Sequence, residues 1–217
     1  MNEIQPSTGY RTVETLTGSD RSNFIRIYEE SFPRSERDDT QAVLASIEAG
    51  SRFCMVAHRN HELIGLAVLL RLVELDIQFL EYFAVDSRLR SLGVGAEFLG
   101  HLGTALRSAQ SPASGIVFEV DQPDSADGEE RRLRQRRIEF YKRNGAVLVE
   151  CAPTYRAPNL EQDGTVPSSL MWLPLSLRIR SLSGNLLKKC VLAMLTQSYE
   201  LRLNDPLVHQ VISELIC

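Results

Sequence analysis

Apolar and polar positions along the chain change period several times, and each change predicts an element. Thr12 to Thr17 alternates weakly, as a strand with one buried face does. Gly18, Ser19 and Asp20 then supply a turn and an N-cap. Phe24, Ile25, Tyr28 and Phe32 follow at helical spacing, and Pro33 ends that helix. A second helix is predicted from about Asp38 and Asp39, through Val43, Leu44 and Ile47, to Gly50. The runs Phe53 to Ala57 and Leu63 to Leu70 flank the turn-like Arg59, Asn60 and His61, which predicts a hairpin. Ile77 to Val85 is a further strand, and Gly93 to Arg107 a helix whose stripe includes Leu99, Leu102 and Leu106. Ile116 to Val120 is a short buried strand, Gln122 to Gly128 a polar loop, and Glu129 to Asn144 a helix stopped by Gly145. The pattern then gives a strand from Ala146 to Cys151, a long loop from Ala152 to Pro167, and a last strand from Leu170 to Leu173. Leu187, Val191 and Leu195 form a helical stripe, read as core packing or a dimer surface. A final helix opens near Asp205 with Pro206 in its first turn, where the missing N–H costs nothing. The order of elements predicts one α/β (α+β) domain over residues 1–175, with a helical extension over 176–217 packed on it.

Composition narrows the class. A chain of 217 residues, 43% hydrophobic and 24% charged, buries enough surface to fold without disulfides or metal. The net charge of −4 argues against a general polyanion binder. Cys54, Cys151, Cys190 and Cys217 lie far apart, with no paired C-x-x-C spacing, which suits a reducing cytoplasm. His58, His61, His101 and His209 lack metal-ligand spacing, so no metal is expected. The first residues carry no basic and apolar signal-peptide pattern, and the longest apolar run, Leu63 to Leu70, is too short to span a bilayer.

The most informative stretch runs from Phe79 to Ala96. It places a strand, a short turn with Arg90, Gly93 and Gly95, and then a helix. Glycines there let backbone N–H groups approach a ligand, and the helix N-terminus adds partial positive charge, so the turn suits a pyrophosphate. On residue types alone, a tight turn made for close packing accounts for it as well. The spacing is not the dinucleotide fingerprint G-x-G-x-x-G.

Arg90-x-x-Gly93-x-Gly95, directly after a strand ending in Ala84, Val85 and Asp86, resembles the Q/R-x-x-G-x-G/A signature of the GNAT family of N-acetyltransferases. Ser91 stands where that family often has glycine. The segment from Ile138 to Ala146, with Phe140, Tyr141 and Gly145, resembles the family's second motif, in its usual order and separation. The resemblance covers about Thr12 to Leu173. It implies a GNAT-like fold, a mixed central sheet flanked by helices. It also implies acetyl-coenzyme A as co-substrate, held by the backbone amides of Arg90, Ser91, Leu92, Gly93, Val94, Gly95 and Ala96, with Phe83, Ala84 and Val85 orienting the thioester. Tyr141 matches the tyrosine that protonates the departing thiolate, and a phenol is a neutral donor at pH 7.

Amine acetylation also requires a base. Strand alternation groups Phe79, Glu81, Phe83 and Val85 on one face. A carboxylate between phenylalanines is a candidate base through desolvation, or else a structural glutamate paired with an arginine. Some family members carry a catalytic glutamate where Phe79 stands here. Glu119 is the second candidate, alternating with Gly115 and Val117 on what the pattern reads as the wetter face. Phe32 and Glu36 fall where the family shapes its acceptor pocket, and Tyr155 lies in a loop able to close over an acceptor; a solvated linker and a mobile loop are the plainer readings. Glu129 to Arg143 holds seven of the 24 basic residues. Without interleaved aromatics it reads as a solvated face, so nucleic acid is not the expected partner. The expected activity is acetyl transfer to the primary amine of a small molecule or peptide. A non-catalytic acyl-coenzyme A sensor that kept the cradle is the alternative.

Overall fold

A computed structural model of the chain describes residues 8–150, 155–162 and 164–215. The strands are β1 (Thr8–Val13), β2 (Phe53–Arg59), β3 (Glu62–Leu72), β4 (Ile77–Val85), β5 (Gly115–Asp121), β6 (Val147–Leu148), β7 (Arg156–Pro158) and β8 (Thr165–Pro174). The helices are α1 (Gly18–Ser31), α2 (Thr40–Glu48), α3 (Val94–Ser108), α4 (Gly128–Arg143), α5 (Gly184–Gln197) and α6 (Pro206–Glu214). The strands hydrogen-bond in the order β1-β2-β3-β4-β5-β8-β6, with β7 on β8. β1, β2 and β3 pair antiparallel, β4 and β5 parallel, and β5 and β8 antiparallel, so the sheet is mixed. No helix among the described residues is long and apolar enough to cross a membrane.

The chain divides into two compact units, residues 1–69 with 81–104 and residues 70–80 with 105–217. In the first, Arg59 pairs with Glu62, leaving Asn60 and His61 as a two-residue loop, both at positive φ (51° and 63°). That backbone matches the twist of the strands it joins. Its core gathers Phe24, Ile27 and Tyr28 of α1 and Val43, Leu44 and Ile47 of α2 against strand residues including Val56, Leu66, Tyr82 and Ala84. Phe83 points the other way, its ring 5.2 Å from that of Phe98 on α3. Asp39, the N-cap of α2, accepts from the Gln41 and Ala42 amides at 2.9 and 3.1 Å, as a capping carboxylate should.

In the second unit, β4 and β5 register Ile77 with Gly115, Gln78 with Ile116 and Phe79 with Val117. Gly115 has no alternative: a Cβ there would stand 2.1 Å from the Trp172 ring. Leu187, Val191 and Leu195 of α5 are fully buried in one core with Phe79, Val117, Trp172 and Val208 of α6. The α5 stripe is therefore core. Asp205 caps α6 by accepting from the Leu207 amide at 2.8 Å, with Pro206 in the first turn.

Three sequence expectations shift. The first strand is Thr8–Val13, not Thr12 to Thr17, because its pairing with β2 sets the register and only Val13 of its residues is buried. The strand after Gly145 shortens to Val147–Leu148, and Cys151 lies outside the described residues. Within the expected long loop, Arg156–Pro158 pairs with Thr165–Pro167 as a hairpin. Its two prolines are tolerated because the ladder is short and at an edge.

Candidate functional site

The strand–turn–helix of the first unit is built around one buried carboxylate. Asp86 follows β4, and its side chain is fully excluded from solvent. It accepts from the Arg88 amide at 2.9 Å, from the Arg88 guanidinium at 2.9 and 2.8 Å, and from Arg26 of α1 at 2.5 Å. The bonds from Arg88, and then those from Arg26, hold its carboxyl far below the usual range, overriding the opposing effect of burial. The result is a fixed start for the 3-10 turn Ser87–Leu89.

Arg90 is exposed to solvent but folds back on the end of its strand. Its guanidinium turns back to donate to the Val85 carbonyl at 3.3 Å and to Ser31 Oγ at 3.2 Å, tying the end of β4 to α1. Beyond it the backbone enters left-handed conformations at Ser91 (φ 65°) and Gly93 (φ 83°). Gly93 O then accepts from the amides of Ala96 and Glu97, both at 3.1 Å, and α3 begins. Among the described residues, the amides of Ser91, Leu92, Gly93, Val94 and Gly95 find no backbone acceptor. Left-handed and right-handed residues in succession aim such amides into a concavity, and the helix macrodipole adds to their field. Buried Val94, Phe98, Leu99 and Leu102 clamp the helix behind the turn. This arrangement suits a phosphate or pyrophosphate held by backbone.

The Glu81 side chain, on β4, is 4% exposed and meets Arg52 through both oxygens, Nε to Oε2 at 2.6 Å and Nη2 to Oε1 at 3.1 Å. Arg52 also lies 3.6 Å from Asp38. The Asp38 amide donates to the Tyr82 hydroxyl at 3.0 Å, and the Tyr28 hydroxyl donates to the Asp38 carbonyl at 3.2 Å. Phe32 packs edge-on to Tyr82, with ring centres 5.2 Å apart, and Glu36 closes a 3-10 turn on Pro33 O at 3.0 Å. The segment from Phe32 to Asp38 is thus an ordered, hydrogen-bonded bend. Arg52 and Tyr82 were not singled out in the sequence, and Asp38 was read there as a helix start; only contacts between distant segments bring them to Glu81.

In the second unit, Tyr141 of α4 is 7% exposed, its ring 4.4 Å from Phe118 and 5.0 Å from Phe140. Burial pushes its phenol up to about 12, against the opposing charge of Arg137, so it keeps its proton through any physiological pH. Glu119 of β5 accepts from two phenols: Tyr155 donates to Oε1, and Tyr199, just past α5, donates to Oε2 at 2.5 Å. Burial first, and then the charge of Glu119, push the Tyr155 phenol well above its ordinary value. The face expected to be wetter is so only toward its end: Val117 is fully buried, but Glu119 and Asp121 are half-buried where Phe118 and Val120 opposite are buried. Tyr199 was missed, and nothing local marks it, since it lies 80 residues from its partner.

Part of the basic density on α4 is compensated locally. Arg131 pairs with Asp124 at 2.5 Å, Arg134 with Glu130 at 2.9 Å, Arg137 with Asp121 at 2.6 Å and Lys142 with Glu139 at 3.1 Å. Among the described residues no three His, Cys, Asp or Glu side chains converge on a metal position.

A mixed central sheet with flanking helices is the GNAT fold, and solved structures bear this out. No family model and no curated protein matches the sequence. Among solved structures, a GNAT-family protein from Bacteroides thetaiotaomicron superposes with TM-score 0.66 at 22% identity, over 89% of this chain and 99% of its own. The ribosomal-protein-S18-alanine N-acetyltransferase from Escherichia coli gives TM-score 0.54 at 19% identity, over 82% and 97%. An aminoglycoside 6′-N-acetyltransferase complexed with coenzyme A gives 0.61 at 16%, over 79% and 99%. At these identities the likeness defines the fold.

Proposed function

We propose that the protein is an acetyl-coenzyme A-dependent N-acetyltransferase acting on a primary amine by direct attack. The observation that carries this reading is the turn from Arg90 to Ala96, with left-handed Ser91 and Gly93 and a run of backbone amides without backbone acceptors at the start of α3. In it the amides of Ser91 to Gly95 bind the pyrophosphate, Arg90 holds the turn to the strand, and the backbone of Phe83, Ala84 and Val85 orients the thioester. Free Cys54 and Cys190 thiols suit work in a reducing cytoplasm.

The amine nitrogen attacks the thioester carbonyl carbon, the carbon–sulfur bond breaks, and the thiolate takes the Tyr141 phenolic proton. The proton lost by the amine passes to a carboxylate. Of the two candidates, Glu81 is engaged through both oxygens by Arg52, a group that never gives up its proton at accessible pH, whereas Glu119 is bonded to phenols, which relay protons. We therefore assign the base to Glu119 and give Glu81 the task of fixing the bend that carries Phe32 and Glu36, which would face the acceptor. Holding acyl donor and amine together supplies much of the acceleration.

The test is release of free thiol from acetyl-coenzyme A across a panel of small amines and peptides. Tyr141→Phe is expected to lower kcat about 100-fold or more while leaving the affinity for acetyl-coenzyme A within about twofold. A wild-type protein that binds the co-substrate and releases no thiol with any amine would favour the sensor. Equal turnover by wild type and Tyr141→Phe would remove Tyr141 as the acid.

A further inference from the structure

Glu119 lies opposite Leu170 of β8 and shares its face of β5 with Val117, on the side where α5 and α6 close the core. A carboxylate placed against such a core requires donors. Tyr155 donates to Oε1 and Tyr199 to Oε2. With both oxygens engaged, the rotation that would exchange them is blocked, and the carboxylate presents one fixed edge.

We infer that Tyr199, carried by the turn that ends α5, is a positioning residue for Glu119, so the C-terminal helices take part in the chemistry as well as the core. The inference deepens the transferase reading and rests on it only for the role of Glu119 as base.

The turn is built to hold this side chain. The Tyr199 amide donates to the Met194 carbonyl at 3.2 Å, and the Leu201 amide reaches back to the Leu195 carbonyl at 3.0 Å. Between them Glu200 adopts φ 54°, a left-handed conformation that a side-chain-bearing residue takes only when its surroundings demand it. Tyr155 is anchored as firmly, its carbonyl accepting from the Ser168 amide at 3.2 Å. Among the described residues, two titratable groups near this cluster are the Cys190 thiol of α5, which burial keeps protonated, and Asp121, two residues along β5 and paired with Arg137.

Full-length protein carrying 13C-labelled glutamate tests the inference, with the Glu119 carboxyl resonance identified by its loss in Glu119→Gln. A donor to the ionised carboxylate favours that form, so removing it in Tyr199→Phe is expected to raise the titration midpoint by about one pH unit. In a second sample labelled with 13Cζ tyrosine, the Tyr199 resonance, identified by its loss in Tyr199→Phe, is expected to titrate in the wild-type chain with the same midpoint as Glu119. An unmoved midpoint in a folded Tyr199→Phe, or a Tyr199 resonance that ignores the titration of Glu119, would overturn the positioning role. Thermal shift with acetyl-coenzyme A on the same samples reports the transferase reading separately. Loss of that binding in the wild type would sink the reading and leave the titration to decide the contact.

Discussion

Ser91 and Gly93 carry the left-handed backbone of the cradle, and they do so at different cost. Glycine adopts φ 83° freely, whereas serine at φ 65° pays about 1 kcal/mol for its Cβ. Gly93→Ala is therefore expected to destabilise the fold by about 1 kcal/mol and to weaken acetyl-coenzyme A binding, although no atom stands within 4 Å of the added methyl. Thermal unfolding and ligand titration of the variant check both. An alanine variant with wild-type affinity would mean that the turn's shape does not matter to the ligand. The sequence exposed this turn because its residue types are themselves the mechanism: arginine, then glycines at fixed spacing before a helix. It gave no sign of Asp86 as the group that fixes the turn, since an aspartate after a strand reads as an ordinary cap until Arg26, 60 residues away, is seen bonded to it.

At the scale of the element, β4 was legible to the residue, Ile77 to Val85, because its alternation is strong and both of its faces are packed. β1 was displaced because its position follows from the partner strand and not from its own pattern. The β7–β8 hairpin was hidden by Pro158 and Pro167, which break the strand signal without preventing a short edge ladder. The junction of β4 with the turn depends on the Asp86 network, and Asp86→Asn is expected to lower stability by about 2 kcal/mol by leaving its arginine partners poorly matched. Because those partners depress its pKa, Asp86 adds stability that is fully present above about pH 4 and is lost as pH falls below it. Acid unfolding should accordingly be shallower in Asp86→Asn than in the wild type; identical acid profiles would remove Asp86 from the account.

For the whole molecule, the buried acids with raised pKa values set an alkaline limit. Burial pushes the thiols of Cys54 and Cys190 from 9.0 up to about 12, and Tyr141 from 10.0 up to about 12. Above pH 9 the unfolded chain releases these protons while the folded chain keeps them, so stability is fully present below about pH 9 and declines as pH rises toward 12. Urea unfolding from pH 8 to pH 11 should show this decline, and Cys54→Ala with Cys190→Ala should flatten its first part. An unchanged slope would place the alkaline sensitivity elsewhere. The same scale explains what the sequence withheld about the candidate site. Glu119 was visible as the second candidate carboxylate on a strand, but its phenol partners Tyr155 and Tyr199 come from a loop and a helix end far along the chain, contacts that no local period encodes.

The measurement that tests the central claim most directly is thermal unfolding with and without acetyl-coenzyme A. At about 100 times its dissociation constant the ligand should add about 2.7 kcal/mol to stability, visible as a clear rise in Tm that is reduced in Gly93→Ala. A folded sample whose Tm does not move at saturating acetyl-coenzyme A would contradict the claim that the turn from Arg90 to Ala96 is a co-substrate cradle.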